Sequence, residues 1–339
     1  MSRYDQLARL PVALDGYELA PLLFETPTFV RHSTIVQLHG AGHTGSGEDV
    51  SYVEADQLAH RALPTLPLSG TRSFGEWSEL LDEWDLTPVP TVQHAAAHYR
   101  RWAYESALLD LALRQDGRTL GAVLGRTPQP IRFCVSSSLG PEAWLAAYPD
   151  LEFKLDAGDE WDAARVDALA RLGRVRVVDL KAHYGPDFAV KETDVVDLLR
   201  RIAEALPSVV LEDPPTDEEA WSIIAAHVDR VAFDAPVHSL AELLALPPVG
   251  WLNVKPSRFG SVRRLLETIE HCEANGIRLY GGGQFELGVG RLQIQELASL
   301  FYGDGPNDVA PGAFNALQVT GGLPSSPLPP AGSRPGFGA

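Results

Sequence analysis

Only two cysteines, Cys134 and Cys272, occur in 339 residues. Two thiols provide no disulfide framework and cannot by themselves build a thiolate zinc site. Basic residues are also scarce: 28 Lys and Arg stand against 45 Asp and Glu, a formal charge of −17. A field of that sign repels a phosphate backbone, and no local basic patch overcomes it, so nucleic acid is not expected as a partner. No stretch reaches the roughly 18 consecutive apolar residues of a membrane-spanning helix. The opening MSRYDQLARLPVALDGYEL has neither a basic n-region nor an apolar h-region. These absences predict a cytoplasmic protein with no membrane association. There is no GxGxxG followed by an acidic residue and no Walker-type lysine, so a dinucleotide or a nucleotide phosphate is not expected.

What is present is an ordinary globular balance, 45% hydrophobic and 22% charged, in a chain long enough for one barrel and a smaller domain. Residues 1–125 read as an α+β capping domain. There Phe29–Leu38 has strand composition and leads into a glycine cluster, AGHTGSGEDV at 41–50, expected as a turn. A helical pattern follows over 91–115 and is closed by Gly117. Within residues 126–318 the texture becomes short apolar runs alternating with amphipathic stretches. Strands are expected at 131–137, 151–156, 175–180, 208–213, 230–235, 250–255 and 276–281, with helices including 194–206 and 261–276. Seven such units predict a parallel α/β barrel, with an eighth somewhere in 300–318. Residues 319–339, rich in Gly, Pro and Ser, are expected as an extended or disordered tail.

Active sites of parallel barrels lie at the carboxyl ends of the strands. Lys154, Asp179, Glu212, Asp234 and Lys255 fall at such ends, each about one βα unit after the last. Three converging carboxylates repel one another unless a cation joins them. Oxygen ligands without His or Cys in the same register favour Mg²⁺, or Mn²⁺, over Zn²⁺. Acidic strand ends also arise as helix caps or salt-bridge partners, and spacing alone does not separate the two.

The segments FKLDAG (153–158), VVDLKAHY (177–184), LEDPP (211–215), FDAPVHS (233–239), NVKPSRFG (253–260) and GGGQFELGVGRLQIQELASL (281–300) occur in the order of the enolase-superfamily barrel motifs. GSGED (45–49) and YESALLDLALRQDGRTLGAVLG (104–125) resemble that family's capping domain. The muconate-lactonizing and mandelate-racemase-like branch is most similar, nearest its o-succinylbenzoate synthase and N-acylamino acid racemase group. The resemblance implies a modified (β/α)7β TIM barrel whose N-terminal α+β domain closes the mouth. It implies Mg²⁺ on Asp179, Glu212 and Asp234, and a small-molecule carboxylate whose alpha proton is removed to give an enediolate. A carbon acid that weak requires both a base held partly neutral and a cation near the enolate oxygens. A homo-oligomer is compatible with such a protein.

The proton-transfer set departs from the family pattern. Lys-x-Lys is replaced by Lys154-Leu155-Asp156, the usual Asp-x-Asn by Asp179-Leu180-Lys181, and the acidic residue after the fifth-strand ligand by Ala235. Lys154 matches the lysine that assists the substrate carboxylate, and Lys255 matches the lysine of the opposite strand. If Lys181 stood one pleat beyond Asp179, its amine would enter the space of the missing lysine, where Asp156 would pair with it and hold it cationic. Three outcomes remain: one-base elimination through Lys255, a base rebuilt from Asp156 or Lys181, or loss of the ancestral chemistry; the first, a lyase of dehydratase or o-succinylbenzoate synthase type, is favoured. The alternatives are a racemase or epimerase of an acyl-amino acid, or a non-catalytic ligand-sensing protein. His183 and His238, just beyond two strands, are lesser catalytic candidates. His94 and His98, four apart on a helix, fit surface or domain-contact side chains better than metal ligands. Glu286 resembles an orienting acid at the mouth, and Cys134 reads as a buried small hydrophobe.

Overall fold

The computed structural model describes residues 1–26, 29–158, 160–184 and 195–338. In the N-terminal region β1 (Pro11–Leu14) pairs antiparallel with β5 (Gly70–Ser73). An antiparallel meander joins β2 (Gly16–Glu25), β3 (Val30–Gly40) and β4 (His43–Asp49). The glycine cluster expected as a turn is a turn only at Ala41–Gly42; the rest is β4. A Cβ on Gly45 would stand 2.3 Å from the Ala107 carbonyl oxygen, and one on Gly47 would stand 2.1 Å from that of Ala103. Those glycines serve close approach of a strand to the helix Ala96–Asp116, not chain reversal. That helix is buried from Tyr99 to Leu113, because it lies between the meander and the rest of the molecule, and it ends at Gly117 in the left-handed conformation.

The seven expected strands form one parallel sheet in chain order: β6 (Cys134–Val135), β7 (Glu152–Asp156), β8 (Val175–Asp179), β9 (Val210–Glu212), β10 (Val231–Phe233), β11 (Trp251–Val254) and β12 (Arg278–Gly281). The eighth position is reduced to the segment at Asn307. Phe133 and Asn307 form a parallel bridge, Cys134 N donates to Asn307 O (2.7 Å), and Asp308 N donates to Gly281 O (2.8 Å). These bonds close the ring between β12 and β6, and the fold is the modified (β/α)7β barrel with an α+β capping region. Val177, Val210, Ala232 and Tyr280 fill its interior below the mouth. The helix expected over 194–206 spans Val195–Ala205, with Asp194 outside the described residues, and that over 261–276 spans Val262–Asn275. No helix among the described residues is long and apolar enough to cross a membrane.

Candidate metal and proton-transfer site

Asp179 and Glu212 are the last residues of β8 and β9, and parallel register sets them side by side. Asp234 follows β10 and Lys255 follows β11, each by one residue. Lys154 lies within β7, two residues before its end at Asp156. All five strand-end residues proposed from sequence thus meet at one rim, and Asp179, Glu212 and Asp234 are fully buried.

Buried carboxylates require compensation, and here four cations provide it. Lys154 Nζ lies 2.6 Å from Glu212 Oε1, 3.4 Å from Asp179 Oδ2 and 3.8 Å from Asp308 Oδ2. Lys181 Nζ bridges Asp179 Oδ2 (3.0 Å) and Asp156 Oδ1 (3.2 Å). Lys255 Nζ donates to Asp234 Oδ2 at 2.6 Å and approaches the Tyr184 hydroxyl at 3.2 Å. Arg258 Nε faces Asp234 Oδ1 at 2.9 Å, its Nη2 donates to the Tyr184 hydroxyl at 2.8 Å, and that hydroxyl donates to Asp234. Glu212 also accepts from Asn253 Nδ2 (3.0 Å) and from the Tyr280 hydroxyl.

One detail of the expected geometry is corrected. Lys181 is not on the strand: β8 stops at Asp179, and Lys181 sits in a turn with φ of 53°. The side chain still reaches the mouth, through a left-handed residue and not through the pleat. Asp213 (φ 46°) and Phe285 (φ 58°) share that conformation next to β9 and near β12. Three of the four non-glycine residues with positive φ among those described therefore rim the mouth. Such strained residues persist only where surrounding structure holds them.

Electrostatics differ from group to group. Burial alone would raise the Asp234 carboxyl, but the Arg258 and Lys255 charges hold it well below the usual carboxylate range. Asp179, opposed by burial in the same way, is lowered by Lys154 and Lys181. Burial pushes Glu212 up to about 7 despite Lys154. Asp213 is raised by burial and by its carboxylate neighbours Asp234, Asp179 and Glu212. Lys181 is raised because Asp179 and Asp156 outweigh its burial.

A hard divalent cation suits this donor set. Ligand oxygens of Asp179, Glu212 and Asp213 lie within 4.8 Å of one another. The two oxygens of Asp213 already accept the backbone N–H groups of Asp234 (2.8 Å) and Ala235 (2.9 Å). Asp234 Oδ1, by contrast, is buried and accepts no hydrogen bond, although Arg258 stands beside it. Asp213 therefore fixes the backbone that carries Asp234, whose Oδ1 faces the Arg258 guanidinium.

Of the other candidates, His94 lies in the turn before the helix Ala96–Asp116, not on it with His98, and the rest have structural partners. His183 is bonded through Nε2 to Pro214 O at 2.9 Å and packs edge-on against Phe233. His98 stacks on His238 with ring centroids 5.1 Å apart, and His238 also faces Glu242 at 3.6 Å. That stack joins the capping helix to the loop after β10, as a domain contact should. Glu286 accepts from Gln284 N (2.6 Å) and pairs with Arg291. Cys134 is fully buried, which pushes its thiol far up. Gly282 has a definite role: a Cβ there would stand 2.5 Å from Asn253 Oδ1 and 2.9 Å from Lys255 Cε. Sequence reading gave no role to Arg258, Tyr184, Asp213, Asn253 or Tyr280. The first carries a usable signal, since it lies three residues after Lys255 in the short helix Pro256–Phe259.

Residues 127–316 match the model described as "Domain of unknown function (DUF8230) C-terminal domain", and residues 5–123 match the corresponding N-terminal domain. The chain is 27% identical over 229 residues to an N-succinylamino acid racemase of Amycolatopsis sp, a match covering 63% of this chain and 59% of that protein. It is 26% identical over 189 residues to an o-succinylbenzoate synthase of Pasteurella multocida, covering 55% of this chain and 49% of that protein. Both matches span less than two thirds of the relative. Among solved structures, an enolase-superfamily member from Listeria innocua superposes with a TM-score of 0.67 at 18% identity, covering 96% of this chain and 94% of that one. A dipeptide epimerase from Methylococcus capsulatus, complexed with Mg, gives 0.69 at 22% identity, with 95% and 98% covered. The family resemblance read from the strand-end motifs agrees with these matches. The chain belongs to the DUF8230 family, and its fold is that of the enolase superfamily.

Proposed function

We propose that this protein is a metal-dependent enzyme that removes the proton alpha to the carboxylate of a small-molecule substrate, with Lys255 as the base. The observation that carries this reading is the placement of three buried carboxylates and Lys255 at one barrel rim. Asp179, Glu212 and Asp234 would hold Mg²⁺ or Mn²⁺, which when bound offsets the negative charge that grows on the substrate carboxylate as the proton leaves. Lys154 donates a hydrogen bond to that carboxylate. Lys255 is held at the mouth by Asp234 and Tyr184, and its amine, in the neutral form, takes the proton and becomes the ammonium. Lys181, placed between Asp156 and Asp179, acts as a cationic donor, and Asp156 is its counterion. The capping region, residues 1–125, excludes water from the mouth and selects the distal part of the substrate.

A lyase with one base is the reading favoured by the two ion pairs of Lys181, because racemisation requires a second free base on the opposite face. The relatives named as racemases keep the alternative of an acyl-amino acid racemase open, with Lys181 as second base. A ligand-sensing protein that keeps only the metal is the reading from another class. The test is alpha-proton exchange into deuterated water, followed by NMR with metal present, over N-acylamino acids, succinylbenzoate-type acids and sugar acids. We expect exchange with one class, reduced at least ~10³-fold in Lys255→Met and about tenfold in Lys181→Met, in line with the usual loss on removing a general base. Undiminished exchange in Lys181→Met would remove the assisting role given to that residue. Metal binding without exchange across the panel would favour the sensing reading.

A further inference from the structure

The C-terminal residues do not trail away from the barrel. Leu328 is buried and exchanges two backbone hydrogen bonds with Ile131, 2.8 and 3.0 Å. Residues 332–335 are exposed, and the chain is buried again at Gly336, Phe337 and Gly338. The Phe337 side chain is completely buried and meets Trp102 edge-on, with centroids 6.4 Å apart. The backbone is held from both sides. Phe337 N donates to Asp110 Oδ1 (2.8 Å) and Gly336 N to Arg118 O (3.2 Å) on the capping side. Gly338 N donates to Glu296 Oε2 (2.5 Å), and Gln293 Nε2 donates to Phe337 O (3.4 Å), from the helix Val289–Phe301 of the barrel.

We infer that this segment is a strap, and that the slot beneath Phe337 and Gly338 is a peptide socket for the Gly-Phe-Gly sequence of this chain. The slot has one wall on each region, so it is complete only when the capping region is docked. Whatever fills it stabilises the docked state by linkage. The fit is selective as well as apolar. Gly338 has φ of 78°, and a Cβ there would lie 2.7 Å from Gln293 Cγ and 3.0 Å from Gln293 N, so only glycine enters. The anchoring network runs on towards the mouth. Asp110 Oδ2 accepts from Ser46 N (2.9 Å), and Gln293 Nε2 donates also to Ser46 O (2.8 Å). Two residues along β4, Glu48 accepts the N–H groups of Leu287, Gly288 and Gly290. Seating the strap therefore holds β4 against the helix that follows the mouth loop.

The experiment compares hydrogen–deuterium exchange of β4 and of residues 287–293 in the full chain, in Phe337→Ala, and in a chain ending at Gly332. Loss of the strap is expected to speed exchange in both segments by about tenfold or more. A synthetic peptide of residues 333–339 added to the shortened chain should restore slow exchange and perturb Trp102 fluorescence, and the same peptide with Phe337→Ala should do neither. Unchanged exchange in both variants, or no restoration by the peptide, overturns the proposal. If the shortened chain is insoluble, recovery of folded protein on co-expression with the peptide supports the socket, and failure to recover it overturns the socket.

Discussion

On the β7–β8 flank of the mouth each ammonium is shared among carboxylates: Lys154 among Glu212, Asp179 and Asp308, and Lys181 between Asp179 and Asp156. On the β10–β11 flank the ratio is reversed, and Asp234 alone faces Lys255, Arg258 and the Tyr184 hydroxyl. An ammonium shared among anions is bound in place. An ammonium that shares one anion with a guanidinium can be released without stranding that anion. Two of the three departures from the family pattern lie on the anion-rich flank, where an aspartate replaces one lysine and a new lysine stands one strand away; the third, Ala235, follows Asp234 on the other. The number of ammonium groups is preserved, but their freedom is not.

The largest expected effect tests that difference through stability. In metal-free protein, Lys154→Met leaves Glu212 buried with only neutral donors, which should cost roughly 3–5 kcal/mol. Lys255→Met leaves Asp234 with Arg258 and Tyr184 and should cost under about 2 kcal/mol. Chemical denaturation measures both, and equal losses would break the comparison.

Glu212 and Asp234 should also respond oppositely to pH. The Glu212 carboxyl is raised from 4.5 to about 7, so between those values the folded state binds more protons than the unfolded one. Its contribution to stability therefore falls as pH rises through that window. Asp234 is depressed below its ordinary 3.8, so its contribution is complete above that value and is lost as pH falls through the folded pKa. Denaturation of metal-free Glu212→Gln should lack the decline between pH 4.5 and 7, while Asp234→Asn should lack the acid-side rise. A Glu212→Gln curve parallel to the wild type would contradict the assignment.

A smaller effect comes from Gly282→Ala, which crowds Lys255 Cε and Asn253 Oδ1 without removing either. We expect a loss of about 1–3 kcal/mol, typical of overpacking, and weakened exchange chemistry with metal affinity retained. Stability and exchange both at wild-type level would show that the β11 side can yield.

The barrel was legible because its strands are local runs of largely apolar residues, several ending in a charge or followed by one, as in Val175–Asp179 and Val210–Glu212. The closing segment at Asn307 was not, because one residue with a single bridge leaves no run to read. Gly45 and Gly47 resembled turn residues, and only the facing helix explains them. Charges at the mouth could be placed by strand, and the Lys181–Asp156 pair could be anticipated, but not the route: Lys181 arrives through a left-handed turn that nothing in its side chain predicts. Asp213 was hidden beside Glu212, and only the structure shows that its two oxygens accept the backbone N–H groups of Asp234 and Ala235. The seated Phe337 was masked by the Gly, Pro and Ser around it, a composition ordinarily read as tail.

The measurement that bears most directly on the site is calorimetric titration of Mn²⁺ into the metal-free chain and into Asp179→Asn, Glu212→Gln, Asp234→Asn and Asp213→Asn. The account predicts one site per chain, weakened more than ~100-fold in the first three variants and about tenfold in Asp213→Asn, as expected for a residue that only orients a ligand. A site abolished by Asp213→Asn and untouched by Asp234→Asn would contradict it.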